Sequence, residues 1–283
     1  MQLRPQAALL TDAGDPGGPA RRGRLYAGTS GFSYPDWIPR FYPPGTRPSG
    51  FLAAYAQRLP AVELNATFRR RPTRSAIRGW LEATPPGFRF AVKAQRSSAI
   101  RGLFGDPEET VRWLTEPLGE FGDRLGAVLY RVPAAIRRDG PWVEGSPARA
   151  DERLRALLAA WPREIPLVVE LQDPTWHVDE TFAALREASA VLCTTELPPE
   201  GDEGATASAD LQAGAETPIV RRTGPFLYLR LRRHHDDDAE LDAWSARIEP
   251  FLAAGDDVYA FFRHDAVGRA GQLAMGLLRR CDP

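Results

Sequence analysis

Short apolar runs recur along the chain, and most end on a polar or charged side chain. The runs 25–29, 61–65, 88–93, 125–132, 165–171, 190–195, 226–231 and 258–263 predict strands. Between most of them, apolar positions return at helical spacing. In 49–59, Phe51, Leu52, Tyr55 and Leu59 share one helical face. The segment 73–83 begins at Pro72-Thr73, an N-terminal signal, and stops before Pro85-Pro86. Segments 107–121, 149–161, 179–188, 239–254 and 266–280 follow the same logic. Strands alternating with helices predict a parallel sheet, and eight such units in about 250 residues fit a (β/α)8 barrel. The expected fold class is therefore α/β, a TIM-barrel-like domain over 25–283. A doubly wound open sheet is the alternative. The stretch 198–225, between the sixth and seventh strands, is rich in Gly, Ala and acid and only weakly periodic. So long a connection is irregular for a barrel.

Composition narrows the class. The chain has 283 residues, 43% hydrophobic and 26% charged, as in ordinary globular proteins. Its net charge of −1 means that anion binding must come from local arginine clusters. No apolar run approaches the roughly 20 residues that span a bilayer, so no membrane role is expected. Residues 1–24, rich in Pro, Gly, Ala and Arg, read as a disordered extension, and Ala7-Ala8-Leu9-Leu10 is too short for a signal-peptide core. Cys193 sits in an apolar strand far from Cys281, which suggests reduced thiols and a cytoplasmic setting. There is no zinc-type Cys/His spacing, and no cofactor is evident.

Among 36 basic residues, Lys93 is the single lysine. It closes Phe88-Arg89-Phe90-Ala91-Val92-Lys93, a strand leaving a core. Arginine cannot easily replace an ammonium that must fit a tight pocket or act as a nucleophile. Catalytic residues of a barrel lie at the C-terminal strand ends. Those ends offer Ser30, Glu63 with Asn65, Lys93, Arg131, Glu170 with Gln172, Glu196, Arg230 with Arg232, and Arg263-His264-Asp265. Loops are wet, so one polar residue per strand end needs no function. Glu63 and Glu170 are less easily dismissed, because each follows two apolar residues inside its strand. Buried charges cost several kcal/mol unless paired, so opposite charges converging on one mouth would form a polar pocket.

Thr29-Ser30-Gly31 could offer backbone N–H groups to an anion. Arg69-Arg70-Arg71 with Arg74, and Arg230-Leu231-Arg232-Arg233, place guanidinium forks on the same rim, suited to phosphate or carboxylate. Solubility alone would also account for such clusters in an arginine-rich chain. Trp37, Phe41, Tyr42, Trp80, Trp142 and Trp176 could stack on a sugar or base, although most such rings pack a core. His234-His235 before Asp236-Asp237-Asp238 reads as exposed charge, since consecutive loop residues rarely form a metal shell. No metal site is expected.

The motif series resembles the domain of unknown function 72 family, also called YecE-like. It runs through Gly28-Thr29-Ser30-Gly31-Phe32-Ser33-Tyr34 with Trp37 and Phe41-Tyr42-Pro43, Val62-Glu63-Leu64-Asn65-Ala66-Thr67-Phe68, Trp80 with 88–93, 125–133, Val168-Val169-Glu170 with Pro174-Thr175-Trp176, Tyr228-Leu229-Arg230-Leu231 and 258–265. The resemblance covers the chain from about Leu25 onward and implies a TIM-barrel-like fold. It implies no assigned reaction. Glu63, Asn65, Lys93, Glu170 and Arg230 keep the family pattern. Arg69 stands for a tyrosine, Arg131 for a glutamine, Gln172-Asp173 for Arg-His, and Arg232-Arg233 for His-Gly. Ser97-Ser98-Ala99-Ile100 lacks the usual Thr-His, so most of the family's histidines are missing.

The residues thus predict an enzyme acting on an anionic substrate, a sugar phosphate or nucleic-acid fragment, at the barrel mouth. Glu63, Lys93 and Glu170 are the catalytic candidates. Ser30, Asn65, Arg131, Gln172, Trp176, Arg230, Arg232 and Asp265 are the binding candidates. A non-catalytic barrel binding nucleic acid or an acidic partner, and a metal-dependent hydrolase or isomerase, are the alternatives.

Overall fold

The computed structural model describes residues 21–141, 148–196, 218–232 and 238–281. Strands β1 (Leu25–Ser30), β2 (Ala61–Leu64), β3 (Arg89–Lys93), β4 (Leu125–Val132), β5 (Leu167–Leu171), β6 (Val191–Thr195), β7 (Phe226–Leu231) and β8 (Asp257–Phe262) form a closed barrel in chain order. Every pairing is parallel, and β1 closes on β8 through Leu25↔Val258 to Thr29↔Phe262. The open-sheet alternative is thereby set aside. Helices α1 (Phe51–Ala56), α2 (Ala66–Arg69), α3 (Arg74–Glu82), α4 (Arg96–Phe104), α5 (Pro107–Thr115), α6 (Ala150–Ala160), α7 (Asp179–Glu187), α8 (Asp238–Ala253) and α9 (Arg269–Cys281) lie between the strands or after the last.

The strands are near-continuous apolar runs because both faces are covered. One set of side chains packs outward on the helices, among them Val62, Val92, Val128, Val169 and Leu229. The other set fills the lumen, with Tyr26, Ala61, Ala91, Ala127, Val168, Cys193, Tyr228 and Tyr259. Gly126 makes room for one large lumen ring. A Cβ there would lie 2.7 Å from Cε1 of Tyr259.

Helix starts follow local chemistry. Thr73 accepts a hydrogen bond from Ala76 N to open α3, and Asp106 accepts from Glu108 and Glu109 N ahead of Pro107 to open α5. The expected helix 107–121 ends as α at Thr115. It continues as a 3-10 segment, Glu116–Arg124, bent at Gly122 with φ of 55°. Helix α4 was not expected from the sequence. Its Ser97-Ser98 start lacks apolar periodicity, and Gln95 supplies the cap by accepting from Ser98 N. Of the expected extension 1–24, residues 21–24 lie among the described residues. Residues 21–24 are tied down by Arg22 on Glu249, Gly23 N on Leu252 O and Arg24 N on Asp257. Residues 1–20, Trp142, 198–217, Arg233, His234 and His235 lie outside the described residues. Among the described residues, no helix is long and apolar enough to cross a membrane.

Candidate functional site at the C-terminal mouth

The lumen changes character at its C-terminal end. Glu63, Lys93, Arg131, Glu170 and Arg230 each lie two residues beyond an apolar lumen residue: Ala61, Ala91, Leu129, Val168 and Tyr228. A strand's period of two therefore sends them inward. Ser30 enters the same layer from β1, beside Glu63 in the pairing register. Glu63 and Glu170 are wholly buried, and Lys93 and Arg230 are each 3% exposed.

These groups form one network. Glu63 Oε1 accepts from Ser30 Oγ, pairs with Lys93 Nζ at 3.2 Å and accepts from Arg230 Nη2 at 3.3 Å. Glu63 Oε2 accepts from Tyr228 OH at 2.8 Å and meets Arg230 Nε at 3.2 Å. Arg230 Nη1 donates to both oxygens of Glu170 at 2.9 Å. Arg131 Nε stands 3.5 Å and Arg232 Nη1 3.8 Å from Glu170. Burial alone would raise both carboxyls. For Glu63, Arg230, Lys93 and the Ser30 and Tyr228 hydroxyls overcome burial and hold it well below the usual carboxylate range. For Glu170, Arg230, Arg232 and Arg131 outweigh burial and hold its carboxyl below the ordinary value. Both acids are therefore ionised and engaged by donors, which makes them counter-charges more than proton acceptors.

Two spaces meet above this network. A cavity of about 20 Å³ is lined by Ser30, Asn65, Lys93, Arg230, Arg232, Phe261, Arg263 and His264. It has room for about one water, and no carboxylate is among its lining residues. A groove of about 1030 Å³ opens beside it, walled in part by Phe32, Tyr34, Phe68 and Trp80. Asn65 and His264 line both. Asn65 Nδ2 donates to Ser30 O at 2.9 Å and Tyr34 OH at 3.1 Å, which fixes the amide orientation. Its Oδ1 is buried with no hydrogen-bond partner among the described residues. Tyr34 stacks on His264 at 4.9 Å. Gly31 makes the turn out of β1 with φ of 86°, and a Cβ there would clash with Tyr34 OH.

Of the expected residues, Ser30, Glu63, Asn65, Lys93, Arg131, Glu170, Arg230 and Arg232 come together. Gln172 is half-buried on the loop beyond Glu170, with its backbone bound to Val132 O. Two others have structural employment. Trp176 is wholly buried and donates to Ile136 O at 2.7 Å. The Asp265 carboxylate accepts from Val267, Arg269 and Ala270 N and so caps α9. Glu196 is likewise taken up, by Arg232 N and Trp244 Nε1. Sequence reasoning missed Tyr228, whose place two residues before Arg230 on β7 was the available signal. Among the described residues, no three His, Cys, Asp or Glu side chains gather so as to hold a metal ion.

Comparison with known proteins agrees with this architecture. Residues 26–283 match the family model described as "Protein of unknown function DUF72". The chain is similar to the UPF0759 protein YunF of Bacillus subtilis (strain 168), 22% identical over 289 residues, covering 91% of this chain and 95% of that protein. A crystal structure of a DUF72 family protein from Thermotoga maritima MSB8 superposes with a TM-score of 0.71 at 24% identity, covering 92% of this chain and 100% of that one. Another, from Enterococcus faecalis V583, gives 0.68 at 16% identity over 92% and 98% of the two chains.

Proposed function

The chain belongs to the DUF72 family, and from that premise we propose that it is an enzyme acting on a phosphate- or carboxylate-bearing substrate, a sugar phosphate or nucleic-acid fragment, at the C-terminal mouth. The observation that carries this reading is the cationic lining of the inner cavity by Lys93, Arg230, Arg232 and Arg263 where it meets the large groove. In this reading the anionic group docks against that wall and the body of the substrate lies in the groove. Buried guanidinium and ammonium groups stabilise charge that develops on a bound anion, without reorganising as they would in water. Glu63 and Glu170 hold Lys93, Arg230 and Arg232 in place. Lys93, 3.2 Å from Glu63, supplies hydrogen-bond donors to the anion or to a leaving oxygen. His264 lines both spaces, which brings its ring beside the substrate. A cytoplasmic setting belongs to the proposal, supported by the buried free thiols Cys193 and Cys281.

A barrel that binds its anion without chemistry is the second reading. It is favoured by one observation: both buried carboxylates are already engaged by donors, which leaves neither poised as a base. Titration calorimetry with ribose 5-phosphate, ribose and inorganic phosphate tests the binding shared by both. Phosphorylated ligands should bind at least about tenfold more tightly than ribose, a difference of about 1.4 kcal/mol. Lys93→Met should abolish the preference while circular dichroism reports a folded barrel. Equal binding of ribose and its phosphate would remove the anion site. Turnover followed by phosphorus NMR over a panel of phosphate esters separates enzyme from binder.

A further inference from the structure

We propose that the ligand of this mouth is a single-stranded nucleic-acid segment, its terminal phosphate in the groove at the cationic entrance of the inner cavity and its backbone continuing along an outer arginine groove. The inference rests on the reading of the mouth as an anion site and extends it outward. The groove beside the mouth shares Arg69 and Gln95 with a second groove of about 690 Å³. The two form one path, and together they exceed the roughly 300–1000 Å³ that one drug-sized ligand fills.

The charge along this path is specific in its placement. Arg74 is neutralised by Glu116 at 2.6 Å and Glu120 at 2.9 Å, and Arg71 lies 3.7 Å from Glu116 and over the Trp113 ring at 4.3 Å. Arg69, Arg70, Arg78 and Arg96 also line the path. Among the described residues, none of these four has a carboxylate within ion-pairing distance, and all four are exposed. The whole chain carries a net charge of only −1, so this run of guanidinium groups is a local feature.

One phosphate at the entrance of the inner cavity leaves the outer arginines without a task. A chain of regularly spaced phosphates gives each of them one. Phe32, Phe68 and Trp80 are partly exposed on the groove wall. Bases stacked within a duplex cannot reach such rings, whereas unpaired bases can lie on them. That favours a single strand over a duplex. It also favours a nucleic acid over an acidic peptide, whose carboxylates bring no ring to stack.

The test uses the full chain and two probes, a fluorescent 5′-phosphorylated thymidine decamer by anisotropy and ribose 5-phosphate by calorimetry. The decamer should bind more tightly than ribose 5-phosphate. Its log affinity should fall against log salt with a slope of about −3.5, at about −0.7 for each phosphate contacted, one at the mouth and four along the outer arginines. Arg70→Glu/Arg78→Glu, both on exposed positions of the outer groove, should weaken the decamer at least about tenfold and leave ribose 5-phosphate unchanged. A decamer that binds no tighter than ribose 5-phosphate, or is indifferent to the double substitution, overturns the strand and leaves the mouth reading intact. Failure of both probes overturns the mouth reading itself. A duplex or a polyglutamate that binds as well as the decamer, with the same salt slope, overturns the assignment to single-stranded nucleic acid.

Discussion

Arg230 grips Glu63 along one edge of its guanidinium, with Nε 3.2 Å from Oε2 and Nη2 3.3 Å from Oε1. The remaining nitrogen, Nη1, reaches both oxygens of Glu170 at 2.9 Å. One planar group from β7 thus joins carboxylates from β2 and β5 across the lumen. Removing one partner from such a network leaves a buried charge uncompensated, which costs more than the pair contributes when whole.

Arg230→Lys keeps the charge and loses the fork. A compact ammonium cannot serve both carboxylates from one position. The expected cost is about 1–3 kcal/mol, for hydrogen bonds lost from buried carboxylates that keep other cationic partners, read from the urea midpoint at constant slope. A change within about 0.5 kcal/mol, ordinary for a surface site, would show that the lumen tolerates the loss.

Glu63 and Glu170 also set an acid limit. Burial works to raise their carboxyls, but the surrounding cations and hydroxyls hold both below the ordinary value of 4.5. Their folded values lie below their unfolded ones, so the stabilisation is complete above the unfolded value. It is lost as pH falls below about 4.5 toward the folded values. Urea midpoints should be nearly level from about pH 7 to pH 5 and then decline. Glu63→Gln/Glu170→Gln should be less stable at neutral pH and decline less steeply in acid. An acid decline unchanged by the double substitution would assign it to other carboxylates.

Most of this barrel was legible in the sequence because its strands are covered on both faces and so read as unbroken apolar runs. The polar layer was legible for the same reason: Glu63 and Glu170 interrupt runs that packing would otherwise make wholly apolar. What strand position cannot disclose is which polar end groups are spent on structure. Asp265 stands at a strand end like Arg230, yet its carboxylate is consumed by backbone N–H groups of the helix that follows. Trp176 looked like a stacking surface and is buried packing. Helix α4 was invisible because its amphipathic signal is weak and its cap is a glutamine, outside the usual capping residues.

Gly126 is needed for the lumen ring opposite it. A Cβ would stand 2.7 Å from Cε1 and 2.9 Å from the hydroxyl of Tyr259, which also stacks on Tyr26 at 4.8 Å. With its neighbours packed around it, the ring has little room to retreat. Gly126→Ala should cost about 1–3 kcal/mol, typical of an overpacked core, seen as a fall of several degrees in the thermal midpoint. An unchanged midpoint would mean that the ring moves freely.

Asp265 separates capping from ligand binding. Its Oδ1 accepts from Val267 N at 2.7 Å and Arg269 N at 3.0 Å, and its Oδ2 accepts from Ala270 N at 2.5 Å. An acceptor so engaged has little capacity left for a substrate, and its negative charge would repel an anion. Asp265→Ala should therefore destabilise the fold by about 0.5–2 kcal/mol, the range for a lost helix cap. Asp265→Asn, which keeps acceptor oxygen at the cap, should recover part of that loss. Ribose 5-phosphate affinity should stay within about threefold of wild type in the folded variant, a difference of under about 1 kcal/mol. A large fall in affinity for Asp265→Ala with stability intact would return the residue to the binding site, because only contact with the ligand separates the two readouts in that direction.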